Sequence, residues 1–446
     1  MAKNIHEIRD SIHVFIRLDD QERKVLDSRP FQRLRHIHQL ALTYLIYPGA
    51  THKRFDHSLG VMELASRIFD VVTNPDNVTD DVRNLLPELK DQNKLQYWRL
   101  VLRMAALCHD IGHLPFSHAA EKELLPEGWN HEKLTREIIQ SSEMQEIWNS
   151  ITPPLRANDI TKLAVGPKEA SDLTFTDWET ILSEIIVGDA FGADRMDYLL
   201  RDSHHIGVVY GKFDHYRLID TLRILSFLPS CEKGASVEPA LGVEEGGIHT
   251  SEALMLARYF MYSQVYCHPV RRIYDIHLKD FLKEWLQNGK FSTDIQQHIK
   301  MTDNEITVAF MEEAFDESRP IHQHARRILR REHFKVIYER NPNDVRINPE
   351  AGQSVFNALK QEFGEEHFRR DRYPQKGGAP DFPVRLRGGQ IVSSLAKSDT
   401  LKSVPIVSVD YVFCDRKIYG RADEWLKAIR DKIILPKREE DINGQN

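Results

Sequence analysis

In the stretch "ALCHDIGHLPFSH", running from Ala106 to His118, an imidazole and a carboxylate stand side by side at His109 and Asp110. His113 follows four residues on, and His118 follows a proline. A buried carboxylate without a partner is costly, so it is normally paired or holds a metal ion. Adjacent His and Asp at the end of an apolar helix reach one ion if further ligands come from other helices. Two segments offer them. His57 opens an amphipathic helix in "RFDHSLGV". Asp194 lies in "GADRMDYLLRDSHHIG", where Asp194, Asp197, Tyr198, Arg201 and Asp202 share one helical face. Mixed imidazole and carboxylate ligands with open positions suit Mn, Fe, Co, Ni or Zn better than Ca. Such an ion holds a phosphate and lowers the pKa of a bound water. His113, one turn beyond His109, points at the same cavity. His118 and His131 (in "WNHEKLT") are candidates to join it as proton donors and acceptors. The chemistry indicated is metal-assisted attack on a phosphoester. His204 and His205 fit a structural role as well and are assigned none.

Those side chains need a helical scaffold, and the first two-thirds of the chain reads as one. "HSLGVMELASRIFDVV" puts Leu59, Met62, Ala65, Ile68 and Phe69 at helical spacing. "QYWRLVLRMAALCHD" does the same with Trp98, Val101, Leu102, Ala105 and Cys108. "FTDWETILSEIIVG" starts after Thr176 or Asp177 as cap and stops at Gly188. "SEALMLARYFMYSQVYCH" and "RRIYDIHLKDFLKEWLQNG" follow, the second ending at a Gly suited to a C-cap. Loops are expected at 73–91 and 231–247. After about Lys300, "HFKVIYE", "DFPVRLRGG" and "VPIVSVDYVFCD" read as short strands, and "RADEWLKAIRDKI" as a final helix. The expected architecture is mainly α, with a helical core over 1–300. A smaller mixed α+β region over 301–446 takes assembly or regulation as its default role.

With 41% hydrophobic and 28% charged residues in 446, the composition is that of an ordinary globular protein. A net charge of −7 and a pI near 6.3 give no global drive toward nucleic acid or membrane. The first residues, "MAKNIHEIRDSIHVFIRLDD", contain no apolar signal region, and no apolar run approaches membrane-spanning length. Cys108, Cys231, Cys267 and Cys414 form no CxxC pair. That pattern points to reduced thiols in a cytoplasm and away from a structural zinc site.

The order His57, His109-Asp110 and Asp194 matches the signature of the HD-domain phosphohydrolases. Longer strings, "FQRLRHIHQLALTYLIYPGATHKRFDHSLGV", "HDIGHLPFSH", "WNHE", "DRMDYLLRDSHHIG" and "ARYFMYSQVYCHPVRR", resemble the deoxynucleoside triphosphate triphosphohydrolases over roughly 27–335. The resemblance implies an HD-domain helical core. It also implies cleavage of a dNTP to a deoxynucleoside and inorganic triphosphate, by attack at the α-phosphorus. On it, His57, His109, Asp110 and Asp194 hold the transition metal, while Mg accompanies the triphosphate. His113, His118 and His131 match the catalytic histidines, with His118 as leading general acid or base. Glu121 stands where the family commonly has Asp.

Arg54 and Arg195 match phosphate contacts, Arg195 replacing the Lys of some members. Gln39, Leu40, Tyr198 and Asp202 match residues around the deoxyribose. Tyr198 under the sugar and Asp202 on its 3′-hydroxyl would crowd out a 2′-hydroxyl. Arg258, Tyr262 and Tyr266 complete that pocket, and Cys267 stands where some members carry an amide. Asp27 and Arg35 match a pair that reads an activator guanine. Arg217, Arg331 and Lys335 match basic residues on activator phosphates, and Pro269 replaces an expected Lys. A homo-oligomer, dimer or tetramer, with a GTP or dNTP activator is implied. Two competing readings are another HD chemistry (phosphodiesterase or single-strand nuclease) and a catalytically silent nucleotide sensor. The run from Tyr198 to Asp202 favours a nucleotide monomer, and the lack of a long basic stripe argues against strong polymer binding.

Overall fold

The computed structural model describes residues 4–117, 121–227, 237–374 and 379–435. His118 and Cys231 lie outside the described residues. The chain forms two compact units. The first takes residues 1–261, 290–306 and 377–405, and the second takes 262–289, 307–376 and 406–446. The protein is mainly α, with small sheets beside a helical core.

In the first unit the Arg54–Val72 helix is the central strut, and it is buried along most of its length. It packs against the Gln92–Cys108 and Ala193–Ile206 helices. Gly60 makes the second contact possible, because a Cβ there would collide with the Asp197 carboxylate and the Arg201 guanidinium. The Asp177–Val187 helix starts on a reciprocal cap between Thr176 and Glu179 and stops at Gly188, as its sequence indicates. An N-terminal antiparallel hairpin, Ile5–Asp10 with Val14–Asp19, was not expected from the sequence. A four-stranded sheet runs in the order Leu222–Phe227, Glu238–Glu244, Pro383–Arg385, Ile391–Ser393. Its second strand falls inside the 231–247 segment expected as loop. Alternation of Ala240, Gly242 and Glu244 with Leu241 and Val243 is too weak in side-chain bulk to announce a strand. The expected 73–91 loop contains the short Asp80–Leu85 helix.

The second unit centres on the Ser408–Cys414 strand, flanked antiparallel by Lys335–Glu339 and Phe368–Pro374. Val412 and Cys414 pack with Val355, Leu359 and Leu426, whereas Tyr411 and Phe413 pack with Ile273 and Phe334. Successive side chains from Tyr411 to Cys414 thus feed opposite faces, both buried, which is why these four residues read as continuously apolar. The Pro269–Trp285 helix ends at Leu286, short of the expected Gly289 cap. Gly289 instead serves a following turn at φ 65°. Among the described residues no helix is long and apolar enough to cross a membrane.

Candidate metal centre

Three elements of the first unit supply the centre. His57 lies in the first turns of the Arg54–Val72 helix, and Asp194 in the first turn of the Ala193–Ile206 helix. The helix that carries the opening motif ends at Cys108 with His109 as its cap, so Asp110 and His113 sit in a turn and not on a continuing helix. The reason is a close approach at Gly112. Its amide donates to Thr135 Oγ1 at 3.0 Å, and a Cβ would collide with the His131 carbonyl and the Thr135 amide. The chain leaves the helix to let the His131–Ile139 helix in.

His57, His109 and Asp110 bring their ligand atoms within 4.8 Å of one another. Asp194 Oδ1 completes the set at 3.0 Å from His57 Nε2 and 3.5 Å from His109 Nε2. Both imidazoles are oriented from behind. His109 Nδ1 is 2.8 Å from the Ala106 carbonyl, and His57 Nδ1 is 2.9 Å from Asp197 Oδ2. A proton on each Nδ1 leaves Nε2 with its lone pair toward the centre. His109 Nε2 is buried and has no hydrogen-bond partner, which is what a ligand nitrogen requires.

The carboxylates around His57 draw a positive charge to the centre, and a proton and a metal ion compete for the same Nε2. Burial disfavours a charged His57, but hydrogen bonds to Asp194 and Asp197 outweigh it and push its pKa up to about 10. Burial likewise opposes ionisation of Asp110, yet Arg54, His109 and His113 hold it well below the usual carboxylate range. Asp194 is lowered as well, its burial outweighed by His109 and His57. The centre is therefore built to stabilise positive charge. The donor set fits a divalent transition ion.

A second layer fixes the first. Asp197 accepts from His13 Nε2 at 2.8 Å and from Arg201 Nε at 2.8 Å, and Arg201 Nη1 reaches Asp10 at 2.8 Å. Asp10 also accepts the Ile12 and His13 amides, so the hairpin turn is tied to the centre. Sequence reasoning placed Asp197 on the right face but gave it no role, and it missed Asp10 and His13. The only local signal was an acid–histidine pair in a segment without helical periodicity.

Beside the ligands stand the proton-transfer candidates. His113 Nε2 lies 3.1 Å from Asp110 Oδ1, and its ring stacks on His131 at 4.0 Å between centroids. Glu121 accepts both the His131 backbone amide, at 2.6 Å, and Nδ1, at 2.8 Å. The longer glutamate arm thus reaches its histidine. Burial, Arg54 and His131 push His113 well below the usual imidazole value. His131 goes the other way, because Glu121 outweighs the effect of burial. Two stacked imidazoles are driven apart, one toward the neutral form and one toward the charged form.

Arg54 is buried, pairs with Asp110, and donates from Nε to Ser117 Oγ at 3.0 Å. Arg195 Nη2 donates to Asp189 at 3.1 Å, while its Nη1 is buried without a partner. Gln39 Oε1 is also buried and unpartnered, and Leu40 is buried beside it. Asp202 accepts from His52 Nε2 at 2.7 Å, a partner not anticipated, and Tyr198 is half-buried. Arg258 lies in the Ile248–Met261 helix of the first unit, whereas Tyr262 and Tyr266 belong to the second unit, their rings 5.1 Å apart. A cavity of about 530 Å³ borders His109, Asp110, Asp194 and His131. None of the nine residues expected around the substrate lines it. Of the expected activator residues, Asp27 pairs with Arg23 at 3.1 Å and not with Arg35. Arg35 donates to Gln32 at 2.9 Å and covers the Phe55 ring at 3.5 Å. Arg217, Arg331 and Lys335 are exposed. Cys267 is buried, its thiol raised by burial, and Tyr411 donates to its carbonyl at 3.2 Å.

Comparison with known proteins follows the same line. Residues 54–168 match the HD domain, and residues 213–366 match the HD associated region. An uncharacterized protein of Methanocaldococcus jannaschii is 36% identical over 296 residues, covering 66% of this chain and 53% of that protein. The uncharacterized protein YwfO of Bacillus subtilis is 30% identical over 357 residues, covering 75% and 72% respectively. Deoxynucleoside triphosphate triphosphohydrolase SAMHD1 of Gallus gallus is 31% identical over 379 residues, covering 76% of this chain and 57% of that protein. The matched region thus spans little more than half the length of two of these three relatives. A crystal structure of a hypothetical protein from Aquifex aeolicus superposes with a TM-score of 0.75 at 30% identity, over 95% of this chain and 100% of that one.

Proposed function

The chain belongs to the HD-domain family, with its HD associated region and with deoxynucleoside triphosphate triphosphohydrolases among its relatives, and from that premise we propose the reaction it carries out. Membership supports a metal-dependent phosphohydrolase. The specific reading is hydrolysis of a dNTP to deoxynucleoside and inorganic triphosphate. The observation that carries it is the set of buried His57, His109 and Asp110 with half-buried Asp194, with His109 Nε2 unpartnered and the His113–His131–Glu121 array beside it.

His57, His109, Asp110 and Asp194 would hold the divalent ion, which supplies Lewis-acid polarisation of a phosphoryl oxygen when bound. Arg54 and Arg195 would bind the triphosphate; both are fork-shaped donors suited to phosphate oxygens. His131, whose pKa Glu121 raises against the effect of burial, is assigned as proton donor to a leaving group. His113, lowered by burial and Arg54, is assigned as proton acceptor. Gln39, Leu40, Tyr198, Asp202, Arg258, Tyr262 and Tyr266 are assigned to the deoxynucleoside. Asp27, Arg35, Arg217, Arg331 and Lys335 are assigned to a GTP or dNTP activator in a homo-oligomer. His118, outside the described residues, keeps its assignment from the family resemblance.

The test is product analysis. The purified chain is incubated with Mn²⁺, Co²⁺ or Mg²⁺ and each dNTP, with and without GTP, and products are separated by anion exchange. Deoxynucleoside plus triphosphate is the expected result. Mono- or diphosphate products move the attack to another phosphorus, and no product in any mixture overturns the reading.

A further inference from the structure

Phe116 and Ser117 both adopt left-handed backbone, φ 54° and 61°, although neither is glycine. Both are buried, and they lie in the turn that follows His113. Such a conformation persists only where the surroundings over-determine it. Three contacts do so. The Phe116 amide donates to Asp303 Oδ1 at 2.7 Å. Ser117 Oγ donates to the His38 carbonyl at 3.0 Å, and Arg54 Nε donates to Ser117 Oγ at 3.0 Å.

The second oxygen of Asp303 holds a different segment. Oδ2 takes the His38 backbone amide and His38 Nδ1, both at 2.7 Å. Lys53 Nζ lies 2.8 Å from His38 Nε2. An ammonium only donates, so Nε2 is the acceptor and Nδ1 carries the proton given to Asp303. The His38 and Phe116 rings are near-parallel, 6.3 Å apart. Asp303 is itself anchored at the start of the Asp303–Glu313 helix. There the Thr302 amide and hydroxyl both donate to Glu305 Oε2, at 2.7 and 2.6 Å, and buried Arg33 donates to the Met301 carbonyl at 2.9 Å.

We propose that Asp303 is a positioning residue for the reaction: its carboxylate locks segment 38–40 to the strained 116–117 turn and, through Ser117, sets Arg54 beside the metal ligand Asp110. One oxygen serves each segment, and segment 38–40 carries Gln39, whose buried Oε1 has no partner. Arg54 is the element shared with the centre, because it bonds both Ser117 and Asp110. The kinetic consequence rests on the proposed function. The structural consequence does not.

The test compares the full chain, loaded with Mn²⁺, with Asp303→Asn, Ser117→Ala and the double variant. Asparagine keeps one acceptor oxygen, so it cannot serve both segments. Amide hydrogen exchange is expected to quicken at least tenfold in peptides covering 36–40 or 113–117, with bound Mn²⁺ unchanged. On the dNTP that the wild type cleaves, kcat is expected to fall tenfold or more while KM moves less than threefold, since misplacing reacting groups costs the chemical step. The double variant should be no more than twofold worse than the poorer single one, because both break one linkage. Unchanged exchange in both peptides, wild-type kcat in Asp303→Asn, or losses that multiply in the double variant would each overturn the inference. If Asp303→Asn does not fold, Ser117→Ala, which deletes one hydroxyl, carries the test through kcat and the 113–117 exchange. If the wild type cleaves no dNTP, the proposed function fails, and exchange alone then supports or overturns the role of Asp303.

Discussion

His57 and Asp110 are buried, held from behind by residues of other elements, and surrounded by groups that shift their charge states. Asp27 and Arg35, the residues matched to an activator guanine, are exposed and bonded to neighbours within four residues of themselves. Both sets were read from motif matches, and their surroundings differ completely. Burying the candidate ligands costs desolvation that their hydrogen-bond and charge partners offset, whereas a surface pair at 3.1 Å in water contributes little to stability or recognition by itself. A built centre is recognised by its second layer. The surface set gains a role only when something outside the single chain covers it.

The contrast breaks most easily at the ligands. Asp110→Asn should abolish stoichiometric metal and lower turnover by on the order of 10³-fold or more, with the helical circular dichroism retained. Full activity with metal retained would remove Asp110 from the ligand set. A smaller effect belongs to the layer behind. Asp197→Asn should weaken metal binding about 10–100-fold, measured by competition with a chromogenic chelator. Unaltered affinity would reduce Asp197 to a packing residue.

Smaller again is the effect expected at the proton-transfer pair. Glu121 raises the His131 pKa, so the charged imidazole persists above its ordinary value and is lost only as pH rises through the raised one. Removing the carboxylate in Glu121→Gln lowers that pKa. The alkaline limb of kcat should then move to lower pH, with kcat at the optimum down about tenfold. A limb that stays in place would separate His131 from the titration. The smallest change is expected on the surface. Asp27→Ala should leave metal content intact and remove any stimulation by GTP. Stimulation that survives would show Asp27 to be solvated surface.

The candidate ligand set was readable because each member sits in a segment with strong periodicity or a short, distinctive string. His57 and Asp194 fall in the opening turns of amphipathic helices, and His109-Asp110 closes another. What escaped was what distance in the chain conceals. Asp303 meets His38 across 265 residues and Phe116 across 187, and nothing near "MTDNE" hints at either. His52 on Asp202 was within a quoted motif, yet its partner is 150 residues away. The helix boundary at Cys108 was also hidden, because it is set by the tertiary approach at Gly112 and not by local propensity. Fold class needed only periodicity, and it was right. The Glu238–Glu244 strand needed a partner strand to exist, and it was missed.

The tie between the N-terminal hairpin and Asp197 also has a consequence in time. His13 and Asp197 are separated by 184 residues. At about 5–20 residues per second on a ribosome, the hairpin waits on the order of 10–40 s before its acceptor is made. His57 and Asp110 are synthesised within that interval, so the site cannot close around an ion until the Ala193–Ile206 helix arrives. Loading with metal is thereby deferred until most of the first unit has been made, and a nascent chain that stalls earlier offers the cell's metal pool only an incomplete site.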